Sequence, residues 1–280
     1  MYKIVSKKML NSTVCQMEIE ASAVAKKAEA GQFVILRVNE NGERIPLTIA
    51  GFNRESGLVK IIFQIVGATT QLLYQKEPGE FIQDFVGPLG KATEVEGLKN
   101  VCVIGGGVGC AIAFPVAEKL FSLNCNTTTI TGFRNKDLVI LQDEFKNNSK
   151  NHICVTDDGS FGEQGNVCVP LEKLLSGGER FDMIFAIGPI VMMKFVVLTA
   201  KKYNIPCTVS MNPIMIDGTG MCGCCRLLVD GQIKFACIEG PDFDGYKVDF
   251  DDLASRNRMY LNFEQQKREE TCNLFNKEIK

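Results

Sequence analysis

Residues 217–226 read DGTGMCGCCR, a stretch that crowds Cys222, Cys224 and Cys225 together, with Cys237 following. Thiols so grouped can close a disulfide, hold zinc or ligate an iron–sulfur cluster. A structural zinc site usually draws on two separated cysteine pairs, and only the Cys222/Cys225 pair is evident. A reducing compartment disfavours the disulfide. The order Asp217, Cys222, Cys225, Cys237 keeps the C-x4-C-x2-C…C spacing of plant-type [2Fe–2S] sites, with a carboxylate where the first thiolate would stand. The other set recruits Cys224 and omits Asp217. The first set is preferred because adjacent Cys224 and Cys225 side chains point apart.

A second kind of chemistry is suggested by Gly105, Gly106, Gly107 and Gly109, which fall between an apolar run and the start of a helical pattern. Bare backbone there lets N–H groups and the helix dipole approach a pyrophosphate. The same glycines can serve the turn sterically, and the acidic residue expected roughly 20 positions on is replaced by Thr127 to Thr129. Arg44, opening RIPLTI, could grip a diphosphate bidentately, with Thr48 offering hydroxyl and amide to a ring; alternatively it is an exposed edge-strand arginine. Gly67, Thr69 and Thr70 could meet phosphate at a helix start or simply cap the helix. GPLG, residues 87–90, reads as a turn. The lone His152 reads as a surface residue without a role.

The elements that must position these residues fall into segments. Phe33–Asn39, Leu47–Asn53 and Leu58–Val66 are rich in β-branched and aromatic residues and punctuated by ENG, RESG and EPGE, which predicts a small antiparallel barrel. From Lys99 the style changes to apolar strands alternating with helical stretches, which predicts a parallel, helix-covered sheet. The chain divides as 1–97, 98–211, a cysteine region 212–245 and a charged, helical tail 246–280. The tail reads as solvated surface or a docking arm.

With 280 residues, 45% hydrophobic and 23% charged, the composition is that of a globular protein with a sizeable core. A formal charge of -2 gives no reason to expect nucleic acid or acidic lipid as partner. The N-terminus has no apolar signal core and no run reaches the ~18 residues of a membrane helix, which predicts a cytoplasmic protein. Cys15, Cys102, Cys110, Cys125, Cys154, Cys168, Cys207 and Cys272 read as small buried hydrophobes.

Taken in order, RIPLTI, VGATTQL, GPLG, GGGVG, GFRNKDL, TDDGSFGEQG, IGPIVMMK and MIDGTGMCGCCR with FAC are familiar. Over nearly its whole length the chain resembles the ferredoxin reductase-like electron-transfer flavoproteins of dihydroorotate dehydrogenase B. It is more similar still to the small-subunit group of NADH-dependent reduced ferredoxin:NADP oxidoreductases, also described as sulfide dehydrogenases. The resemblance implies a β-barrel FAD domain, an α/β NAD domain with a parallel sheet, and a small C-terminal [2Fe–2S] region.

It also implies residue roles. Arg44 would hold the FAD diphosphate, and Pro46 belongs to the same flavin motif. Leu47 and Thr48 would line the isoalloxazine, and Gly67, Thr69 and Thr70 would help bind the remaining phosphate. Gly105, Gly106, Gly107, Gly109, Arg134, Asp158 and Gly188 would border NAD(H). Aspartate at position 217 departs from the dihydroorotate group, whose first ligand is normally cysteine, and is similar to the ferredoxin:NADP group. The implied activity is hydride exchange between NAD(H) and FAD, with single electrons passing through the cluster to a larger flavin and iron–sulfur subunit acting on NADPH and ferredoxin. Service to a dihydroorotate dehydrogenase is the alternative. A zinc-holding, non-enzymatic regulator stays open as a different class.

Overall fold

The computed structural model describes residues 1–278, with side chains through Glu270. Its first sheet is made of β1 (Tyr2–Met9), β2 (Val14–Glu20), β3 (Phe33–Arg37), β4 (Arg44–Asn53), β5 (Leu58–Gln64), β6 (Phe81–Ile82) and β7 (Asp84–Leu89). Helix α1 (Ser22–Ala25) follows β2, and α2 (Ala68–Gln75) follows β5. All pairings are antiparallel, in the order β6-β1-β2-β5-β4-β3-β7. The two edge strands are separated in sequence only by Gln83, so the chain itself draws the edges together and curls the sheet into a barrel-like wall. GPLG, expected as a turn, is strand through Leu89, which pairs with Phe33; the chain turns only at Gly90.

Side-chain alternation divides β3 between two cores. Val34 and Leu36 point into the barrel with Ile4, Met17, Ile61 and Phe63, whereas Phe33 and Ile35 join a core shared with the rest of the chain. That double burial explains the unbroken apolar run FVIL. Each such side chain removed from water contributes about 1.5–3 kcal/mol.

The second sheet is parallel apart from one edge. Its chain order is β8 (Asn100–Gly106), α3 (Cys110–Ser122), β9 (Asn126–Phe133), α4 (Gln142–Asn147), β10 (Asn151–Thr156), β11 (Glu163–Gln164), α5 (Cys168–Ser176), β12 (Met183–Ile187), α6 (Ile190–Lys202) and β13 (Cys207–Ser210). The cysteine segment then forms the hairpin β14 (Arg226–Val229) and β15 (Gln232–Phe235), the short α7 (Ala236–Glu239) and β16 (Asp242–Asp244), which pairs antiparallel with β13. Strand order is β11-β10-β9-β8-β12-β13-β16. On β8, Cys102 and Ile104 face one core while Val101 and Val103 face the other, so the strand is apolar throughout. Helix α3 packs against β4 and thereby joins the sheet to the barrel. The linker between the two is pinned: Lys91 N–H donates to Gly240 O at 2.7 Å and the Thr93 hydroxyl donates to Asp242 at 2.6 Å.

The tail forms α8 (Phe250–Asn257) and α9 (Leu261–Glu278), as its charge pattern predicts; its last two residues lie outside the described ones. Cys15, Cys102, Cys110, Cys125, Cys154 and Cys207 are buried as expected and Cys168 half-buried, while the Cys272 side chain lies outside the described residues.

His152 corrects the sequence reading. Rather than standing at the surface, its ring stacks on Phe145 at 5.6 Å. The Gln142 amide oxygen, 3.1 Å from Nε2, can only accept, which puts the proton on Nε2 and leaves Nδ1 to accept from the Thr129 hydroxyl at 2.8 Å. Burial, reinforced by Lys146, lowers its pKa from 6.5 to about 4. The unfolded chain therefore binds a proton that the folded chain refuses, so stability is full above pH 6.5 and is lost as pH falls towards 4. We expect His152→Gln to flatten the stability slope across that window, as read by urea unfolding at several pH values; an unchanged slope would show that other groups set it.

Candidate functional site

A groove of about 1800 Å³ runs along the outside of the barrel. One wall is the start of β4 (Arg44, Ile45, Pro46) with the entry to α2 (Gly67, Ala68, Thr69, Thr70). The opposite side is built by Ile214, Met215, Ile216 and Cys224, and by residues 260–270 of the tail. The start of α2 directs its N-terminal amides and partial positive charge at this space. A Cβ added to Gly67 would meet nothing within 4 Å, so the wall is open there to a ligand. Thr70 serves as a cap, its hydroxyl accepting the Val66 and Gly67 N–H groups at 3.1 and 3.0 Å. Thr69 donates to Glu43 at 2.8 Å.

Arg44 is not a free edge residue. Its Nε donates to Ile216 O at 2.9 Å and an Nη donates to Asp217 O at 3.4 Å, with Asp84 at 3.8 Å. One guanidinium thus holds the barrel to the cysteine loop while bordering the groove. Leu47 and Thr48 follow on β4, half-buried and outside the groove lining. The size, the cation and the helix start suit a dinucleotide such as FAD.

A second groove, about 680 Å³, lies over the carboxyl ends of the parallel strands, where open α/β sheets bind ligands. It gathers Gly106, Gly107, Gly109, Arg134 and Gly188. Gly107 sits at φ 56° with open space where a Cβ would project, whereas a Cβ on Gly109 would lie 2.6 Å from Ile187 O. Packing therefore explains Gly109, while Gly107 leaves backbone bare for a ligand. Gly105 is buried at the end of β8, and Asp158 is turned to Ser160, its neighbour Asp157 lining the groove instead. Hydrogen bonds from Ser160 hold the Asp158 carboxyl below its ordinary pKa. Strand β9 runs on to Phe133, so the position just past it, where dinucleotide folds meet the ribose, is Arg134 rather than Thr127 to Thr129. Ser210 and Asn212, unmarked by any sequence motif, also line this groove.

Val66 lines both grooves. Ligands in the two would meet there, and the first groove continues to the cysteine loop through Ile216 and Cys224.

In that loop the thiols are close but not gathered. Cys225 and Cys237 are buried and adjacent, the Cys237 N–H lying 3.4 Å from Cys225 Sγ. Burial, then the neighbouring Cys225 thiol, pushes Cys237 up to about 12. Cys222 is exposed, and Cys224 faces the groove with its pKa raised by burial and by Cys222 and Cys225. The Asp217 carboxylate accepts from the Thr219 amide at 2.9 Å and from its hydroxyl. Among the described residues no three cysteine, histidine or acidic side chains already close on a metal. The thiol-rich donor chemistry suits an iron–sulfur cluster. Gly218 at φ 86° lets the loop lie against the barrel, since a Cβ there would strike Leu89 and Ile35 at 2.7 and 2.8 Å. No helix among the described residues is long and apolar enough to cross a membrane.

The iron–sulfur cluster binding domain of dihydroorotate dehydrogenase B matches residues 212–249. A dihydroorotate dehydrogenase B (NAD(+)) electron transfer subunit homolog from Thermotoga maritima is 47% identical over 92% of this chain and 91% of the relative. The electron transfer subunit of Desulforamulus reducens is 31% identical over 88% of this chain and 96% of that one. A chain of a solved NADH-dependent reduced ferredoxin-NADP oxidoreductase superposes with a TM-score of 0.90 at 42% identity, covering 96% of this chain and 97% of that one. A flavohemoglobin from Malassezia yamatoensis shares the fold alone, with a TM-score of 0.61 at 19% identity over 73% of this chain and 56% of its own. The chain therefore belongs to the family of dihydroorotate dehydrogenase B electron-transfer subunits, oxidoreductase components built on the ferredoxin-reductase fold.

Proposed function

We propose that the chain is the NAD-linked electron-transfer flavoprotein subunit of a ferredoxin:NADP oxidoreductase-type enzyme, working in the cytoplasm with a larger flavin and iron–sulfur subunit. The observation that carries this reading is the shared wall at Val66, which makes one path of the two grooves and the cysteine loop. FAD held there would supply hydride exchange with a nicotinamide and one-electron transfer toward an iron–sulfur cluster.

The chain's own residues bind, orient and separate these groups. Arg44 holds the FAD diphosphate while keeping its grip on the loop carbonyls, and Gly67 with the α2 amides takes up phosphate. Pro46 would border the ring system in the groove, and Leu47 and Thr48, next on β4 and outside the groove lining, would support it from the strand. Gly106, Gly107 and Gly188 admit the nicotinamide nucleotide to the strand ends, with Arg134 at its ribose. Gly105 and Gly109 hold the turn that shapes this bed, and Asp158 orients the loop bordering it. Asp217, Cys222, Cys225 and Cys237 would ligate the [2Fe–2S] cluster, and Cys224 belongs to the wall of the first groove. Aspartate at position 217, together with the TM-score of 0.90, favours the ferredoxin:NADP type. Dihydroorotate dehydrogenase is the second partner to consider, favoured by the match over residues 212–249.

Anaerobic purification with visible spectrum and elemental analysis tests the cofactors. FAD with equal iron and sulfide supports the reading, and zinc without flavin would end it. Cys224→Ser should retain the cluster and Cys222→Ser should lose it; iron loss in Cys224→Ser would promote Cys224 to ligand. Asp217→Cys should assemble a cluster of altered midpoint potential, because ligand identity is one lever on that potential; an unmoved redox titration would remove Asp217 from the ligand set. Arg44→Lys replaces a planar fork by a point charge, so FAD should be held roughly tenfold or more weakly, as judged by flavin retained on dialysis.

A further inference from the structure

The flavin groove has a wall that the strand and helix motifs do not account for. Tyr260 and the start of α9, residues 261–270, form it, facing Arg44, Pro46, Gly67 and Thr70 across the gap, and α9 is seated against α2. Whatever Arg44 and the α2 amides hold by its phosphates therefore lies between the barrel and this helix. At about 1800 Å³ the space exceeds the few hundred to roughly 1,000 Å³ of an ordinary small-ligand pocket, which leaves room for an elongated dinucleotide.

The character of the wall decides what it can touch. Glu264, Glu269 and Glu270 outnumber Lys267 and Arg268, and Lys267 is paired with Glu270 at 3.4 Å, so this is a poor surface for phosphate. It does carry two aromatic rings, Tyr260 and Phe263, that find little cover from their own chain: they are 48% and 71% exposed. Aromatic faces exposed toward a nucleotide groove suit a purine, since stacking needs no particular hydrogen-bond pattern.

We propose that the C-terminal helix is part of the FAD site, with Phe263 and Tyr260 covering the adenine ring while the barrel wall holds the diphosphate. This rests on the flavin reading above and deepens it. The helix is thereby fastened to the body of the protein by the cofactor's adenylate half.

FMN lacks the adenylate and separates the two ends. The full-length chain, stripped of flavin, is titrated with FAD and with FMN, following the quenching of flavin fluorescence, for the unaltered protein, Phe263→Ala and Tyr260→Ala. The inference expects Phe263→Ala to weaken FAD roughly tenfold, with a smaller loss for Tyr260→Ala, and FMN affinity to stay the same in all. FAD affinity unchanged in both variants overturns it, as does an equal fall for FAD and FMN, which would mean a general disturbance of the groove. If the unaltered chain takes up neither flavin, the flavin reading itself fails and the inference falls with it.

Discussion

The guanidinium of Arg44, bonded to the carbonyls of Ile216 and Asp217, is the contact on which the remaining geometry turns. It starts from the first residue of a barrel strand and ends on the backbone of a loop more than 170 positions later in the chain. Beside it Gly218 lies against Ile35 and Leu89, and Ile35 belongs to the same core as Cys225 and Cys237. Charge-assisted hydrogen bonds to carbonyls are stronger than neutral ones, and this pair is half-shielded from water. The cysteine loop is thus positioned from the barrel, although in sequence it follows the parallel sheet.

How much of this could be read from the residues depended on whether the signal was local. Phe33, Ile35, Val34 and Leu36 announce a strand because two cores claim alternate side chains, and the β8 run announces itself likewise. The glycine turn was legible, but its division of labour was not: that Gly109 is held close to Ile187 and Gly107 is left bare depends on a strand roughly eighty residues away. β1 escaped notice because lysines interrupt the alternation of YKIVSKKM, which buries only Ile4 fully, whereas β2 was legible and missed, its buried Cys15, Met17 and Ile19 alternating with Gln16, Glu18 and Glu20. β4 begins at Arg44, as RIPLTI suggests, ahead of the apolar run from Leu47, and Arg44 and Ile45 pair with Arg37 and Leu36. His152 was misread for a similar reason, since the ring that covers it comes from Phe145 on a neighbouring helix.

The two grooves divide the work by module. The first is lined by the barrel, the cysteine segment and the tail, the second chiefly by the carboxyl ends of the parallel strands, and Val66 is common to both. At the second groove, strand ends and helix starts supply backbone amides rather than many charged side chains, which is why only Arg134 and Asp157 mark it with charge. The charged tail, read as solvated surface or a docking arm, is exposed at residues 260–270 and lines the first groove there.

Strand β16 has a bearing on solubility. It covers the edge of β13 with only three residues, and two of them, Asp242 and Asp244, are carboxylates. A short acidic strand offers little to which a stranger could add, and edge strands of this kind are how sheets avoid edge-to-edge association. Because β16 is delivered by the segment that carries the cysteines, a chain whose cysteine segment failed to settle would leave the ladder of β13 bare.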